Sequence, residues 1–433
     1  MKNPTPRAWF ALAVFFAAAM LSYTDRLILN LLVEPIRHDL LISDVQISYL
    51  QGAAFAVIYA LVGLPLGRLA DRHNRRNIVL AGIVLWSIAT AACGFCTSFW
   101  QFAIARVFVG IGEATLAPAV MSMIPDFFPP ARRGTAIAVF LAGMTMGGGM
   151  ATLSGGLLLK LINSGAVAFL PVVGSLAPWR GVLVLLAMPG VLIALLMIAI
   201  REPLRSDVRV SPSQARFGDT LAYFRERKWM FAGLFGAFAL LQLVDYGFSA
   251  WLPAMMGRRF GVPASDAGPM IGMIAIAFGG LGTLLGGLLA DRLVRRGSAD
   301  ARLRVTLMAY LIALPTFAFP LMPSSTSSLA LYAGYSIASA IGSSAGLAAT
   351  QDAVPAQMRG FSVSLQAFLY TLFGLGVGPT VVALTTQTIA RGPAGVALAM
   401  MIVAIPACLL SLLLLAVVRR PYGAVVEKLA HES

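Results

Sequence analysis

The sequence predicts an all-α polytopic membrane protein in which twelve transmembrane helices form two repeated six-helix halves. Three observations lead to this fold class: the composition, the apolar segments and an internal repeat. Of the 433 residues, 59% are hydrophobic and only 12% are charged, and the mean hydropathy is +0.84. Because soluble domains carry about 25% charged residues, this chain lacks the polar surface of a soluble enzyme. We therefore expect a bilayer as its solvent.

Twelve apolar segments are long enough to cross a membrane, which takes roughly 20 residues for about 30 Å of hydrocarbon. The predicted spans are residues 8–33, 46–69, 77–97, 100–124, 134–159, 179–200, 229–256, 267–290, 304–322, 327–350, 361–389 and 394–418. They leave short loops and no room for a soluble domain. The first span also has features of a cleaved signal peptide, but the internal repeat requires it as a helix.

Positive charges predict the orientation, because cytoplasmic loops carry an excess of Lys and Arg. With both termini inside, 24 of the 32 Lys and Arg residues lie on the cytoplasmic side and 6 on the opposite side. This bias accounts for the net charge of +14 without a nucleic-acid partner. The predicted divisions are 1–200 for the first half, 201–228 for a cytoplasmic linker, 229–418 for the second half and 419–433 for a cytoplasmic tail.

Two motifs occur twice in the same order, which indicates a duplicated six-span unit. Residues 67–76 read GRLADRHNRR, and residues 287–296 read GLLADRLVRR. The pattern D-x-x-P-x-x-x-R-G occurs at 126–134 and again at 352–360. The two pairs are separated by 220 and 226 residues, and chance seldom gives two ordered matches at nearly one offset.

The chain resembles the major facilitator superfamily over about residues 8–418, with G-x-L-A-D-R-x-x-R-R as the signature loop. A narrower resemblance to the spinster branch is carried by Tyr23-x-Asp25-Arg26, Asp71-Arg72-x-Asn74-Arg75 and Arg106-x3-Gly110-Ile111-Gly112-Glu113-Ala114. The resemblance implies a transporter with two six-helix halves that works by alternating access. Since eukaryotic spinster proteins carry lysolipids and sphingolipids, it also suggests an amphipathic anion as substrate.

Four charged residues lie within the first and fourth spans, where an unpaired charge costs at least ~2.5–3.5 kcal/mol. They are Asp25 and Arg26 in the first span, and Arg106 and Glu113 in the fourth. Their charges sum to zero, so pairing between the two helices is the cheapest arrangement. For proton coupling, Asp25 is the first candidate carrier and Glu113 the second, while Arg26 and Arg106 would bind an anion. The alternative is an ion network that only locks the two helices together.

Further candidate substrate-binding residues are Tyr23 in the first span and Asp245, Tyr246 and Trp251 in the seventh. Asp245 is the repeat mate of Asp25. A charged first half and an aromatic second half would suit an amphipathic substrate. The alternatives are a polar bond from Asp245 to a neighbouring helix and plain packing of the aromatic rings.

The superfamily resemblance implies a cytoplasmic gate built from the repeated motifs. The expected gate residues are Asp71, Arg72, Arg75, Arg76, Asp126 and Arg133 in the first half, and Asp291, Arg292, Arg295, Arg296, Asp352 and Arg359 in the second. Pairs among them would be exposed in one state and sheltered in the other. Their loss should therefore shift the alternating-access equilibrium and leave substrate choice unchanged.

The sequence thus predicts a proton-coupled secondary transporter of an amphipathic anion, such as a lysophospholipid or sphingolipid, in the inner (plasma) membrane with both termini cytoplasmic. We expect a monomer whose partners are the bilayer, the proton and an amphipathic or small anionic substrate, without nucleic acid, metal or cofactor. Transport of a small organic anion, drug efflux by antiport and a transporter-derived receptor are the alternatives. An intramembrane enzyme is disfavoured, because a chemical centre needs no duplication.

Overall fold

The structure, a computed structural model, describes residues 5–166, 171–204, 217–392 and 394–432. Within these ranges the side chains of residues 60, 64, 67, 68, 71, 171, 172, 217 and 432 are not described. The described ranges are mainly helical and contain no strand. The prediction of an all-α protein is confirmed.

Long helices account for all twelve predicted spans. They are α1 (Pro6–Leu31), α2 (Asp44–Ser48, Tyr49–Ala53 and Ala54–Arg72), α3 (Arg75–Cys93), α4 (Phe99–Phe127), α5 (Pro130–Asn163), α6 (Pro178–Ala199), α7 (Lys228–Phe260), α8 (Ala264–Arg295), α9 (Ala301–Leu321), α10 (Ser325–Asp352), α11 (Ala356–Thr388) and α12 (Gly395–Glu432). Among the described residues, 11 helices are long and apolar enough to cross a membrane. The remaining one is α10, whose 28 residues span about 42 Å but include many serines that lower its hydropathy.

Polar caps and prolines set where the helices begin. The Thr5 side chain accepts a hydrogen bond from the first turn of α1, and Pro6 follows it at the first helical position. Asn74 caps α3 in the same way, and Ser324 opens α10 with a capping box. These groups satisfy backbone N–H donors that have no partner within the helix. The helices therefore start sharply after short connections.

Three of the long helices contain π-helical turns, at Tyr49–Ala53 in α2, Ala275–Gly279 in α8 and Tyr370–Val377 in α11. A π turn breaks the regular backbone hydrogen-bond ladder, and such turns are frequent at functional sites.

Two compact units are defined by the contacts within the chain. Unit 1 consists of Met1–Ser206 and Leu252–Ile276, and unit 2 consists of Asp207–Trp251 and Ala277–Ser433. The boundary therefore falls inside α7 and α8, and the end of α7 and the start of α8 belong with α1 to α6. In unit 1, α8 packs tightly on α5, where a Cβ added to Gly272 would lie 2.6 Å from the Gly149 carbonyl oxygen. Only glycine allows this approach between the two backbones.

Candidate functional site

A buried ion pair joins α1 to α4 in unit 1. Nε and Nη2 of Arg26 donate to Oε2 of Glu113 at 3.1 and 2.8 Å. The hydroxyl of Ser22 donates to the same oxygen at 2.9 Å. Arg26 is 5% exposed and Glu113 is 1% exposed, so water screens the pair very little. This is one of the pairings between the first and fourth spans that the charges predict.

Three aromatic rings surround the Arg26 guanidinium. Its central carbon lies 4.4 Å from the ring centroid of Tyr23, 4.5 Å from that of Phe55 and 5.0 Å from that of Tyr59. The negative faces of aromatic rings attract a cation, and the attraction is stronger where water is excluded. Arg26 is therefore stabilised by one carboxylate and by an aromatic wall, to which the predicted residue Tyr23 belongs.

Asp25 lies in the interior of unit 1, on a different side of α1 from Arg26, because consecutive helical side chains point about 100° apart. It is fully buried, and neither of its carboxylate oxygens has a hydrogen-bond partner among the described residues. The charged groups that act on it are those of Glu113 and Arg106. Asp25 is thus a buried acid without an ion pair among the described residues, and the Thr90 hydroxyl is the uncharged side-chain group that acts on it.

Arg106 binds backbone oxygens and no carboxylate. It donates to the carbonyl oxygens of Asp25 at 3.1 Å, Arg26 at 3.2 Å and Leu50 at 3.3 Å. Leu50 lies in the π turn of α2. The second side-chain pair expected from the charges, between Asp25 and Arg106, does not form. Arg106 instead ties α1, α2 and α4 together beside the two acids.

Asp245 of α7 contacts the neighbouring helices in unit 2. Its Oδ1 accepts a hydrogen bond from the Tyr335 hydroxyl. Its Oδ2 accepts from the hydroxyls of Tyr310 at 3.2 Å and Ser343 at 3.4 Å. No arginine or lysine forms an ion pair with Asp245 in the part of the chain that the structure describes. The polar bond that the sequence left open is therefore present.

The two aromatic candidates of α7 pack against α11. Trp251 is completely buried, and its indole N–H donates to the carbonyl oxygen of Pro379 at 2.9 Å. Tyr246 is half-buried and lies against Gly374 in the π turn of α11, where an added Cβ would be 2.7 Å from the ring. Within unit 2, Tyr246 is the more accessible of the two.

In the first half, the expected gate motifs meet through Arg75. Its Nη1 lies 2.6 Å from Oδ2 of Asp126, and its Nε lies 2.7 Å from Oε1 of Glu202. The other oxygen of Glu202 accepts the backbone N–H of Arg76 at 2.9 Å. The sequence motifs predict the contact with Asp126 but give no signal for Glu202, which follows α6.

The remaining first-half gate residues differ in their surroundings. Arg133 donates to the carbonyl oxygens of Pro125 and Phe128, both at 3.1 Å, so it braces the end of α4. Arg72 is exposed. The side chain of Asp71 lies outside the described residues.

In the second half, Asp352 pairs with a residue that the motifs do not contain. The Arg302 side chain approaches it with Nε 2.6 Å from Oδ2. The other expected second-half gate residues are exposed and form no ion pair within the described ranges: Asp291, Arg292, Arg295, Arg296 and Arg359. The repeated motif therefore makes different contacts in the two halves.

A further ion cluster in unit 1, which the sequence analysis did not single out, lies at the helix ends remote from the chain termini. Arg258 lies near the end of α7. Its Nη1 donates to Oδ2 of Asp44 and its Nη2 donates to Oδ1 of Asp44, both at 2.7 Å. Its Nε lies 2.6 Å from Oε1 of Glu34. Such bidentate pairing is among the strongest arginine–carboxylate geometries. The sequence signal for this cluster was a set of acidic residues before and at the start of α2, together with two arginines in the last turn of α7.

Comparisons with known proteins agree with this fold. The model of the Major Facilitator Superfamily matches residues 14–379. The chain is 30% identical over 390 residues to an MFS-type efflux pump of Mycolicibacterium smegmatis, covering 88% of this chain and 85% of the relative. It is 26% identical over 334 residues to a probable L-galactonate transporter of Escherichia coli, covering 74% of this chain and 69% of the relative.

A solved structure is similar over the whole chain. It is the crystal structure of a bacterial homolog to the human lysosomal transporter spinster, in an inward-facing and unoccupied conformation. The TM-score is 0.82 at 26% sequence identity, and the match covers 99% of each chain.

Proposed function

This chain belongs to the major facilitator superfamily, and from this premise we propose that it is a proton-coupled transporter that moves an amphipathic anion by alternating access. It is a multi-pass membrane transporter with a spinster-like sequence and fold, as the sequence predicted. Proton coupling, the substrate class, the monomeric state and a plasma-membrane location with cytoplasmic termini belong to the proposal.

The observation that carries the proposal is the buried pair of Arg26 and Glu113 beside the buried carboxyl group of Asp25. While Glu113 is ionised, it occupies the guanidinium of Arg26. Protonation of Glu113 removes the negative charge, and Arg26 then attracts another anion. Proton uptake and binding of an anionic substrate are linked in this way through one arginine.

Asp25 is the proposed first proton carrier. Burying an ionised carboxylate without hydrogen bonds is costly, and a proton removes that cost. Opening of a water path would reverse the balance by hydrating the carboxylate. Arg106 positions the backbone on which Asp25 and Arg26 lie, through its three carbonyl contacts.

The surroundings of Arg26 support an amphipathic substrate, because the cation lies against Tyr23, Phe55 and Tyr59. A lysophospholipid or a sphingolipid phosphate offers both an anionic group for the arginine and apolar atoms for the rings. The proposed substrate-binding residues are Tyr23, Arg26 and Arg106 in the first half, and Asp245, Tyr246 and Trp251 in the second.

A small organic anion is the second candidate substrate. The similarity to a probable L-galactonate transporter favours it, since a carboxylate would satisfy Arg26 as well as a phosphate would. Drug efflux by antiport is favoured only by the similarity to the efflux pump of Mycolicibacterium smegmatis. Both alternatives keep the proposed proton site and change the cargo.

Uptake into proteoliposomes tests the proposal. A lysophospholipid panel and small organic anions, with L-galactonate among them, are assayed with and without an imposed pH gradient. Gradient-dependent lysophospholipid uptake is the expected result. Uptake of a small anion alone would discard the lipid substrate. Uptake of none of them by folded protein would contradict transport of either class and favour a ligand-binding receptor.

A further inference from the structure

Asp245 is a carboxylate surrounded by hydroxyl groups. Tyr335 and Ser343 reach it from α10, and Tyr310 reaches it from α9. Tyr310 and Tyr335 are almost fully buried, whereas Asp245 itself is partly accessible within unit 2. The carboxylate is therefore held in one position by hydroxyl groups of two neighbouring helices.

Among the described residues, no lysine or arginine forms an ion pair that would balance the charge of this cluster. Besides the hydrogen-bonded tyrosines, the titratable groups that face Asp245 are Tyr332 on α10, Tyr370 on α11 and Cys408 on α12. None of these carries a positive charge. Hydroxyl donors offset only part of the cost of burying a carboxylate anion.

The equivalent position of the first half is neutralised differently. In the sequence repeat Asp245 corresponds to Asp25, but Asp25 shares its surroundings with Arg106 and with the pair of Arg26 and Glu113. Two arginines balance two acids there. Around Asp245 the described residues supply no positive charge, and a proton that arrives and leaves can balance the carboxylate, because a carboxyl group and its surrounding hydroxyls accept it without rearrangement.

We propose that Asp245 is a further proton-binding acid, titrated separately from the first-half acids Asp25 and Glu113 and positioned by Tyr310 and Tyr335. A proton from water adds to Oδ2, and the resulting O–H donates to the Ser343 hydroxyl, which turns its own hydrogen away. The site is left neutral. The inference rests on the proposed function in one respect: it assigns a further proton to the same transport cycle.

Infrared difference spectroscopy of the purified full-length protein in lipid tests this inference directly. The readout is the carbonyl stretching band of protonated carboxyl groups between acidic and alkaline buffer. We expect Asp245→Asn to lose one component of the band that Asp25→Asn retains. Tyr335→Phe should shift that component in frequency, because it removes one hydrogen bond from the acid.

Asp245→Glu is the control, because it changes the same position but keeps an acid. We expect this variant to retain the component of the carbonyl band, so that a loss in Asp245→Asn reports the missing carboxyl group and not misfolding. An unchanged difference spectrum in Asp245→Asn would overturn the inference, as would a component that responds to sodium and not to pH. The spectra need no transport. If Asp245 titrates but a pH gradient drives no uptake, the proposed function fails and this inference stands. If a pH gradient drives uptake but Asp245 does not titrate, the proposed function stands and only this inference fails.

Discussion

Arg26 donates two hydrogen bonds to one oxygen of Glu113, whereas the other oxygen of Glu113 has no hydrogen-bond partner among the described residues. Because Ser22 also donates to the occupied oxygen, all three donors converge on Oε2. A proton can therefore add to Oε1 without displacing a donor. The geometry joins a strong ion pair to a free protonation position on the same carboxyl group.

The stability of this pair can be measured by removing one partner or both. Removal of one partner of a buried pair costs roughly 3–5 kcal/mol, because a charge is left uncompensated. We expect Arg26→Met to lower the thermal midpoint in detergent more than the double variant Arg26→Met/Glu113→Leu does. Arg420→Met, at an exposed arginine, is the control. A double variant less stable than the single variant would contradict the pairing.

In the second half, the ion pair of Arg302 with Asp352 predicts a gate that differs from the repeated motif. We expect Arg302→Gln to increase the labelling of Ala353→Cys, since Ala353 is fully buried beside Asp352 and the three native cysteines are buried. Arg295→Gln, at an exposed motif arginine, should leave labelling unchanged. Equal effects of the two substitutions would contradict a specific role of Arg302 in the gate and would favour the repeated motif instead.

At the helix ends remote from the termini, the cluster of Arg258 with Glu34 and Asp44 predicts that these ion pairs hold the end of α7 against the segment before and at the start of α2 within unit 1. We expect Arg258→Gln to increase the labelling of Ala267→Cys, a buried position at the start of α8. Lys160→Gln is the matched control, because its pair with Asp266 is exposed and worth at most about 1 kcal/mol. Unchanged labelling in Arg258→Gln would show that the cluster does not hold this end closed.

Asp300, in the connection before α9, gives a pH-dependent contribution to stability. Burial raises its pKa, but hydrogen bonds from Arg304 and Ser298 and the charge of Arg419 outweigh burial, and the net pKa is lowered. A lowered pKa stabilises the folded state above the unfolded value of about 3.9, and the stabilisation is lost as the pH falls through the folded value.

We therefore expect Asp300→Asn to lower the thermal midpoint at pH 7 and to approach wild type as the pH falls below about 3.9. Thermal unfolding in detergent across a pH series measures this difference. A gap between the two proteins that stays constant with pH would contradict the ionic origin of the effect.

The spans, the repeat and the presence of an ion pair between the first and fourth spans could be predicted from the sequence. Apolar length determines a transmembrane helix, and charges in apolar helices must find partners, so both features are local or nearly local in sequence. The superfamily resemblance implied contacts among the gate residues, and Arg75 with Asp126 is one of them.

Other contacts could not be predicted, because they depend on how distant segments pack. Arg106 binds carbonyl oxygens of two other helices, one of them Leu50 in a π turn, and hydropathy reveals neither the contacts nor the turn. Glu202 and Arg302 lie outside the repeated motifs, so no pattern distinguishes them from other charged residues at helix ends. The hydroxyls around Asp245 belong to helices that are far from it in sequence.

The central claim is that the first-half acids couple transport to the proton, and the most direct measurement compares wild type with Asp25→Asn in proteoliposomes. Two rates are needed: accumulation driven by a pH gradient, and exchange of labelled for unlabelled substrate without a gradient. The account predicts that Asp25→Asn loses gradient-driven accumulation and keeps exchange, which also shows that it is folded. Wild-type accumulation by Asp25→Asn at every pH would contradict the account and remove Asp25 from the mechanism.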